Sequence, residues 1–147
     1  MEILNREAKF NYFILDEIEC GINLVGTEIK SIRNGKANLK DSYGIIRNNE
    51  VYLLNMYISE YAEGNLFNHD PRRTRKLLLH KSEISKLNKS VMLEGNTLIP
   101  LKLYFVKNKA KILLGLCKGK KNYDKREQVK ERDIKREKEK LNKYNYH

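Results

Sequence analysis

The stretch NHDPRRTRKLLLH, residues 68–80, sets four cationic side chains (Arg72, Arg73, Arg75 and Lys76) before three leucines, with a histidine close to either end. Guanidinium and ammonium groups at that density bind phosphate, through charge-assisted hydrogen bonds and counterion release. The leucines place an apolar surface beside the charge. His69 and Asp70 would also suit a metal-dependent phosphohydrolase. That chemistry needs further ligands, and the three histidines, His69, His80 and His147, stand in no pattern that supplies them. Cys20 and Cys117 are not in zinc spacing with them. GLCKGKK, residues 115–121, lacks the spacing and the Ser/Thr of a phosphate-binding loop. Glu17 and Glu19 share one strand face, which is more often a solvated edge than an acid/base pair. The residues therefore favour a binder over an enzyme, with neither metal nor cofactor.

The charge of the whole chain agrees. Its 147 residues hold 30 Lys and Arg against 19 Asp and Glu, a formal net charge of +11. A Lys-rich surface composition accounts for part of the excess but not for its clustering, and a polyanion, nucleic acid above all, is the expected partner. Nine tyrosines offer stacking surface for unpaired bases. Tyr43, Tyr52 and Tyr104 sit in strand patterns and are expected to pack, whereas Tyr123 has no core near it. No apolar run of 18 residues and no signal-peptide core is present, and two unpatterned thiols suit a reducing compartment. The expectation is a cytoplasmic protein without a membrane partner.

The elements that must carry the basic cluster are legible as alternation. In residues 12–25, Tyr12, Ile14, Ile18, Cys20, Ile22 and Leu24 share one face and Glu17 and Glu19 the other, so a long strand is predicted. Asp16 is the misfit on the apolar face, and Gly21 suggests a bend or bulge. A short helix is predicted over 26–35, with Thr27 as N-cap and Gly35 closing it in a left-handed conformation. A hairpin turns at Asn48 and Asn49, and a strand covers Arg75 to Leu79. A second helix keeps Ile84, Leu87 and Val91 in period and stops at Gly95, and a second hairpin turns at 107–109. The fold class is mainly β with flanking helices: an OB-like closed antiparallel barrel of about six strands with two to three short helices and a C-terminal tail. The domain takes residues 1–118.

Residues 119–147 change character, with 11 basic and 6 acidic side chains and only Val129, Ile134 and Leu141 aliphatic. Glu131 with Lys135 and Glu139 with Lys143 make favourable i,i+4 pairs, but the segment has little to pack against. It reads as a tail that is disordered alone and becomes helical on a charged partner.

Four segments together, CGINLVGTEIKSIRNGKANLKDSY (20–43), NHDPRRTRKLLLHKSEI (68–84), IPLKLYF (99–105) and GKKNYDKREQVKERDIKRE (119–137), resemble the small protein B (SmpB) family of tmRNA-binding proteins. They keep that family's order and spacing over nearly the whole chain. The resemblance implies an OB-like barrel that binds the tRNA-like domain of tmRNA and enters stalled ribosomes with it, where trans-translation frees the ribosome and tags the unfinished peptide. It implies RNA contacts at Glu19, Leu78 and His80, joined by the cations Lys30, Arg33, Arg73, Arg75 and Lys76. It further implies that the tail reaches the small-subunit decoding centre and the empty mRNA channel, through Tyr123, Asp124, Lys125 and Arg126 and then Lys130, Arg132, Lys135 and Arg136. Elongation factor Tu and alanyl-tRNA synthetase are expected as partners only indirectly, through tmRNA. Some members carry Asn in place of His80 and His in place of Tyr123. From the residues alone, Glu19 would instead pair with a neighbouring Lys or Arg, and Leu78 would lie in the core.

Three rivals compete with this reading. A general RNA-binding or ribosome-associated OB-type protein needs the same charge without selectivity. A small metal-dependent nuclease would use His69 and Asp70. A membrane-surface protein would use the tail, whose weak apolar face argues against it.

Overall fold

The structure is a computed structural model and describes residues 1–121 and Arg126. A strand β1 (Glu2–Leu4) and a one-turn helix α1 (Ala8–Asn11) precede the long strand β2 (Tyr12–Ile22), and α2 (Gly26–Arg33) follows it. Strands β3 (Ala37–Asn38), β4 (Tyr43–Arg47), β5 (Glu50–Leu54) and β6 (Tyr57–Ile58) lead through a 3-10 turn at Asn65–Phe67 to β7 (Arg75–Leu78). Helix α3 (Lys81–Glu94) and the hairpin strands β8 (Thr97–Val106) and β9 (Lys109–Gly119) complete the order.

Six strands pair antiparallel in the order β8-β4-β5-β7-β2-β9, and β9 pairs again with β8, so the ladder returns to its start as a ring. The protein is thus mainly β with few helices. The seam is narrow: β4 meets β8 at the pair Gly44–Leu98, and β1 takes up the second half of β8 through Ile3–Leu103 and its neighbours. Strands β3 and β6 make a separate ribbon. Inside the ring, Ile22, Val51, Leu53, Leu77, Leu98, Leu103, Ile112 and Leu114 are buried in one cluster with Ile32 of α2 and Ile84 and Leu87 of α3. Each such side chain contributes about 1.5–3 kcal/mol through burial, and the alternation of the strands is what gathers them.

The alternation of β2 is interrupted where the sequence had its misfit. Ile14 pairs with Cys117 but Asp16 pairs with Leu116, so Leu15 is an extra residue and the strand changes face there. The bulge turns Asp16 out to solvent and lies six residues from Gly21, the expected position. A matching shift in β8 between Pro100 and Lys102 makes Leu101 the extra residue. Before the two bulges, Ile14 and Ile99 belong to a second small cluster with Ala8 and Cys117, on the side of the sheet that α1 covers.

The turns follow the expected chemistry. Asn48 and Asn49 have φ of 52° and 60°, and Gly35 and Gly95 follow the helices at 73° and 69°. In the last hairpin, Lys107 and Asn108 make the turn and Lys109 already belongs to β9. Helix α2 starts differently from the expectation: Val25 is its N-cap, and the Glu28 carboxylate folds back to accept the Val25 N–H at 2.9 Å. The Thr27 hydroxyl is bound elsewhere, to His69.

Candidate nucleic-acid interface

Strand β7 splits the basic cluster between two sides. Arg75 and Leu77 point inward and are fully buried, while Lys76 and Leu78 point outward. The Arg75 guanidinium donates through Nε to Glu28 Oε2, and through its terminal nitrogens to the carbonyls of Met56 at 2.6 Å and Pro71 at 3.2 Å. Arg73 donates to the same carboxylate, Glu28 Oε1, at 2.6 Å and to the Asn23 carbonyl at 3.1 Å. Burial by itself would raise the Glu28 pKa. Hydrogen bonds from Arg73, the Val25 N–H and Arg75 outweigh it and hold the carboxyl below its ordinary value. The expectation that Arg75 brings charge to phosphates therefore does not fit its placement, because its donors are spent inside the protein joining β7 to α2. Arg73 is committed to the same joint with about a third of its side chain exposed. Lys76 is half-exposed beside Glu50 at 3.5 Å, and Arg72 lies over the Tyr57 ring.

The outward residues form rows across four neighbouring strands. One row runs Leu78 on β7, Gly21 on β2, Lys111 on β9 and Tyr104 on β8. The next runs Glu19, Leu113 and Lys102. Glu19 and Leu78 thus lie on one face, two residues apart along β2 and one strand apart across it. Leu78 is 52% exposed, so the core position that its residue type suggested is not the one it takes. It lies over Gly21, where an added Cβ would come within 3.2 Å of the leucine Cβ. Glu19 is exposed, and it accepts the Tyr104 hydroxyl at 2.5 Å instead of pairing with a Lys or Arg. Burial, followed by the Glu19 hydrogen bond and charge, pushes the Tyr104 phenol far above its usual value, so it stays a donor. Lys102 lies over the Tyr104 ring at 4.9 Å, adding a cation to the face.

His80 follows β7 as the N-cap of α3, exposed, with its N–H donating to Glu83 Oε1 at 2.9 Å. Lys30 and Arg33 are exposed on α2, over the rings of Tyr61 at 5.4 Å and Phe105 at 4.6 Å. His69 is buried, with Nε2 against the Ile58 carbonyl and Nδ1 against the Thr27 hydroxyl, both at 2.9 Å. Both ring nitrogens are thus taken by protein partners, which makes His69 a strut and leaves neither for a metal. Arg126 is exposed. Tyr123, Asp124, Lys125, Lys130, Arg132, Lys135 and Arg136 lie outside the described residues.

Sequence reasoning passed over Gly21 as part of the face, and it read Tyr104 as packing where the structure makes it the partner of Glu19. Their signal is cross-strand register, which a single strand's alternation does not carry.

Residues 2–144 match the family model described as SmpB protein. The SsrA-binding protein of Desulfitobacterium hafniense (strain DSM 10664 / DCB-2) is 59% identical over 133 residues, covering 90% of this chain and 85% of that protein. Those of Clostridium acetobutylicum and Enterococcus faecalis are 57% and 56% identical, each over 90% of this chain and 86% of the relative. A chain from the solved structure described as "tmRNA-SmpB: a journey to the center of the bacterial ribosome" superposes with a TM-score of 0.69 at 48% identity, over 82% of this chain and 85% of that one. With the family model spanning nearly its whole length, this chain belongs to the SmpB protein family.

Proposed function

We propose that this protein binds tmRNA at its tRNA-like domain, delivers it to stalled ribosomes and enables ribosome rescue and peptide tagging by trans-translation. The observation that carries the reading is the single outward face holding Glu19 and Leu78, with His80 two residues past the end of β7. Relatives named SsrA-binding protein and the ribosome-bound tmRNA-SmpB structure support tmRNA and the ribosome as partners. On this reading, Leu78 packs against unpaired loop bases, Glu19 accepts base amino groups beside the Tyr104 hydroxyl, and His80 adds a ring and a hydrogen bond. Lys30, Arg33, Lys76 and the exposed part of Arg73 contribute phosphate contacts, while Arg75 acts by holding β7 against α2.

The six-stranded ring is in this reading an OB-like barrel, formed by residues 1–118. In this reading residues 119–147 are the tail, which starts where Gly119 ends β9 and brings Tyr123, Asp124, Lys125 and Arg126 to the decoding centre. Lys130, Arg132, Lys135 and Arg136 then meet rRNA phosphates in the empty mRNA channel. Elongation factor Tu and alanyl-tRNA synthetase meet the protein only through tmRNA. On this reading the protein acts in the cytoplasm, as a binder with no reaction of its own.

A reconstituted tagging reaction tests the division of labour. The full chain should support peptide tagging, and a chain ending at Gly119 should bind tmRNA without supporting it. Tagging by the truncated chain would remove the tail from the mechanism.

A further inference from the structure

Gly21 leaves a gap in the row between Leu78 and Lys111, and that gap opens into a cleft of about 390 Å³. Leu24, Ile29 and Leu78 wall it with apolar surface, and Asn108 and Lys109 stand at its hairpin end. Asn23 lies on its lining as well. The main chain of Asn23 is pinned on both sides, its N–H donating to the Lys76 carbonyl at 2.9 Å and its carbonyl accepting from Arg73. The backbone of Asn108 is fixed by its place in the β8–β9 turn, at a φ of 66°. Both residues are exposed, and among the described residues neither carboxamide has a hydrogen-bond partner.

An apolar wall, two amides that each donate and accept, and two ammonium groups match the parts of one unpaired nucleotide. The wall suits the face of a base, the amides suit its edge, and the lysines suit its phosphates. A base paired in a helix presents neither its face nor its pairing edge and would not enter. We propose that the cleft beside Leu78 is a pocket for a single unpaired nucleotide of the bound RNA, its base against Leu78 and Ile29, its edge read by Asn23 and Asn108, and its phosphates on Lys109 and Lys111. The proposal rests on the RNA-binding reading above and names what sits at the centre of that face.

The test uses the full-length protein and the tRNA-like fragment of tmRNA, with each unpaired loop nucleotide replaced in turn by an abasic one. The wild-type protein should lose roughly ten-fold in affinity at one position, the loss of one stacked base. A variant carrying Asn23→Ala and Asn108→Gly, which keeps the positive φ, should bind the intact fragment more weakly and show little further loss at that position. Lys111→Met should weaken all fragments alike and lower the salt slope by about one. Equal losses for wild type and double variant at every position would mean that the cleft is empty in the complex, and would overturn the proposal with the RNA reading intact. Failure of the wild-type protein to prefer the intact fragment over an unrelated RNA would instead overturn that reading.

Discussion

Glu28 on α2 and Arg75 on β7 are both fully buried and meet as an ion pair, the joint through which the strand carrying Leu78 is fixed to the helix carrying Lys30 and Arg33. Removing one partner of a buried pair strands the other without water or charge. Glu28→Ala should therefore cost roughly 3–5 kcal/mol of stability, read from urea unfolding. An unchanged midpoint would show that Arg75 is satisfied by the Met56 and Pro71 carbonyls alone.

The same pair has a pH signature. The Glu28 carboxyl is held below its ordinary value of 4.5 by Arg73, the Val25 N–H and Arg75, against the opposing effect of burial. A depressed carboxylate stabilises the fold fully above that ordinary value, and the contribution is lost as pH falls through the lower folded value. The stability difference between wild type and Glu28→Gln should thus be constant near neutrality and shrink once the pH drops below 4.5. A difference that stays constant into that acid range would contradict the assignment.

Closure of the ring depends on a missing side chain. A Cβ on Gly44 would lie 2.9 Å from Leu98 Cβ at the pair joining β4 to β8. Gly44→Ala should cost about 1–3 kcal/mol through overpacking, whereas alanine at Gly26, where a Cβ meets nothing within 4 Å, should be close to neutral. Equal thermal midpoints for the two variants would show that the seam relaxes freely.

Both thiols are inert in the folded protein. Burial pushes Cys20 up to about 12 and Cys117 up to about 11, aided by nearby Glu83 and Glu17 respectively. A thiol reagent at pH 8 should label neither in the native state and both in denaturant, because the thiolate is the reactive form. Fast native labelling of Cys20 would show that the wall of the ring opens.

Leu78 separates binding from stability. With half of its surface exposed, its removal costs the fold little, but on the proposed face it is a central apolar contact. Leu78→Ala should unfold at nearly the wild-type temperature and bind the tRNA-like fragment at least about ten-fold more weakly, a loss of about 1.4 kcal/mol. Full retention of affinity would remove Leu78 from the interface.

Much of this was legible before the structure. Alternation located β2, β7 and the last hairpin, and Asn and Gly at positive φ marked the turns, because both signals are local. The burial of Arg75 was not legible, since its carboxylate partner lies 47 residues away in sequence and only the fold brings the two together. The bulge at Leu15 was misplaced for a related reason. Gly21 looked like the weak point of the strand, but its missing side chain accommodates Leu78, and relief of the Asp16 misfit came from an extra residue beside it. For the interface, the family resemblance singled out Glu19 and Leu78, and register then showed them to be neighbours.

The central claim is selective tmRNA binding by the ring, and a competition titration at near-physiological salt tests it most directly. It sets the tRNA-like portion of tmRNA against an ordinary tRNA of equal length, with the full chain and with a chain ending at Gly119. The account predicts strong preference for the tmRNA fragment, kept by the truncated chain. Equal binding of both RNAs, weakening in parallel as salt rises, would contradict it and leave a general basic RNA binder.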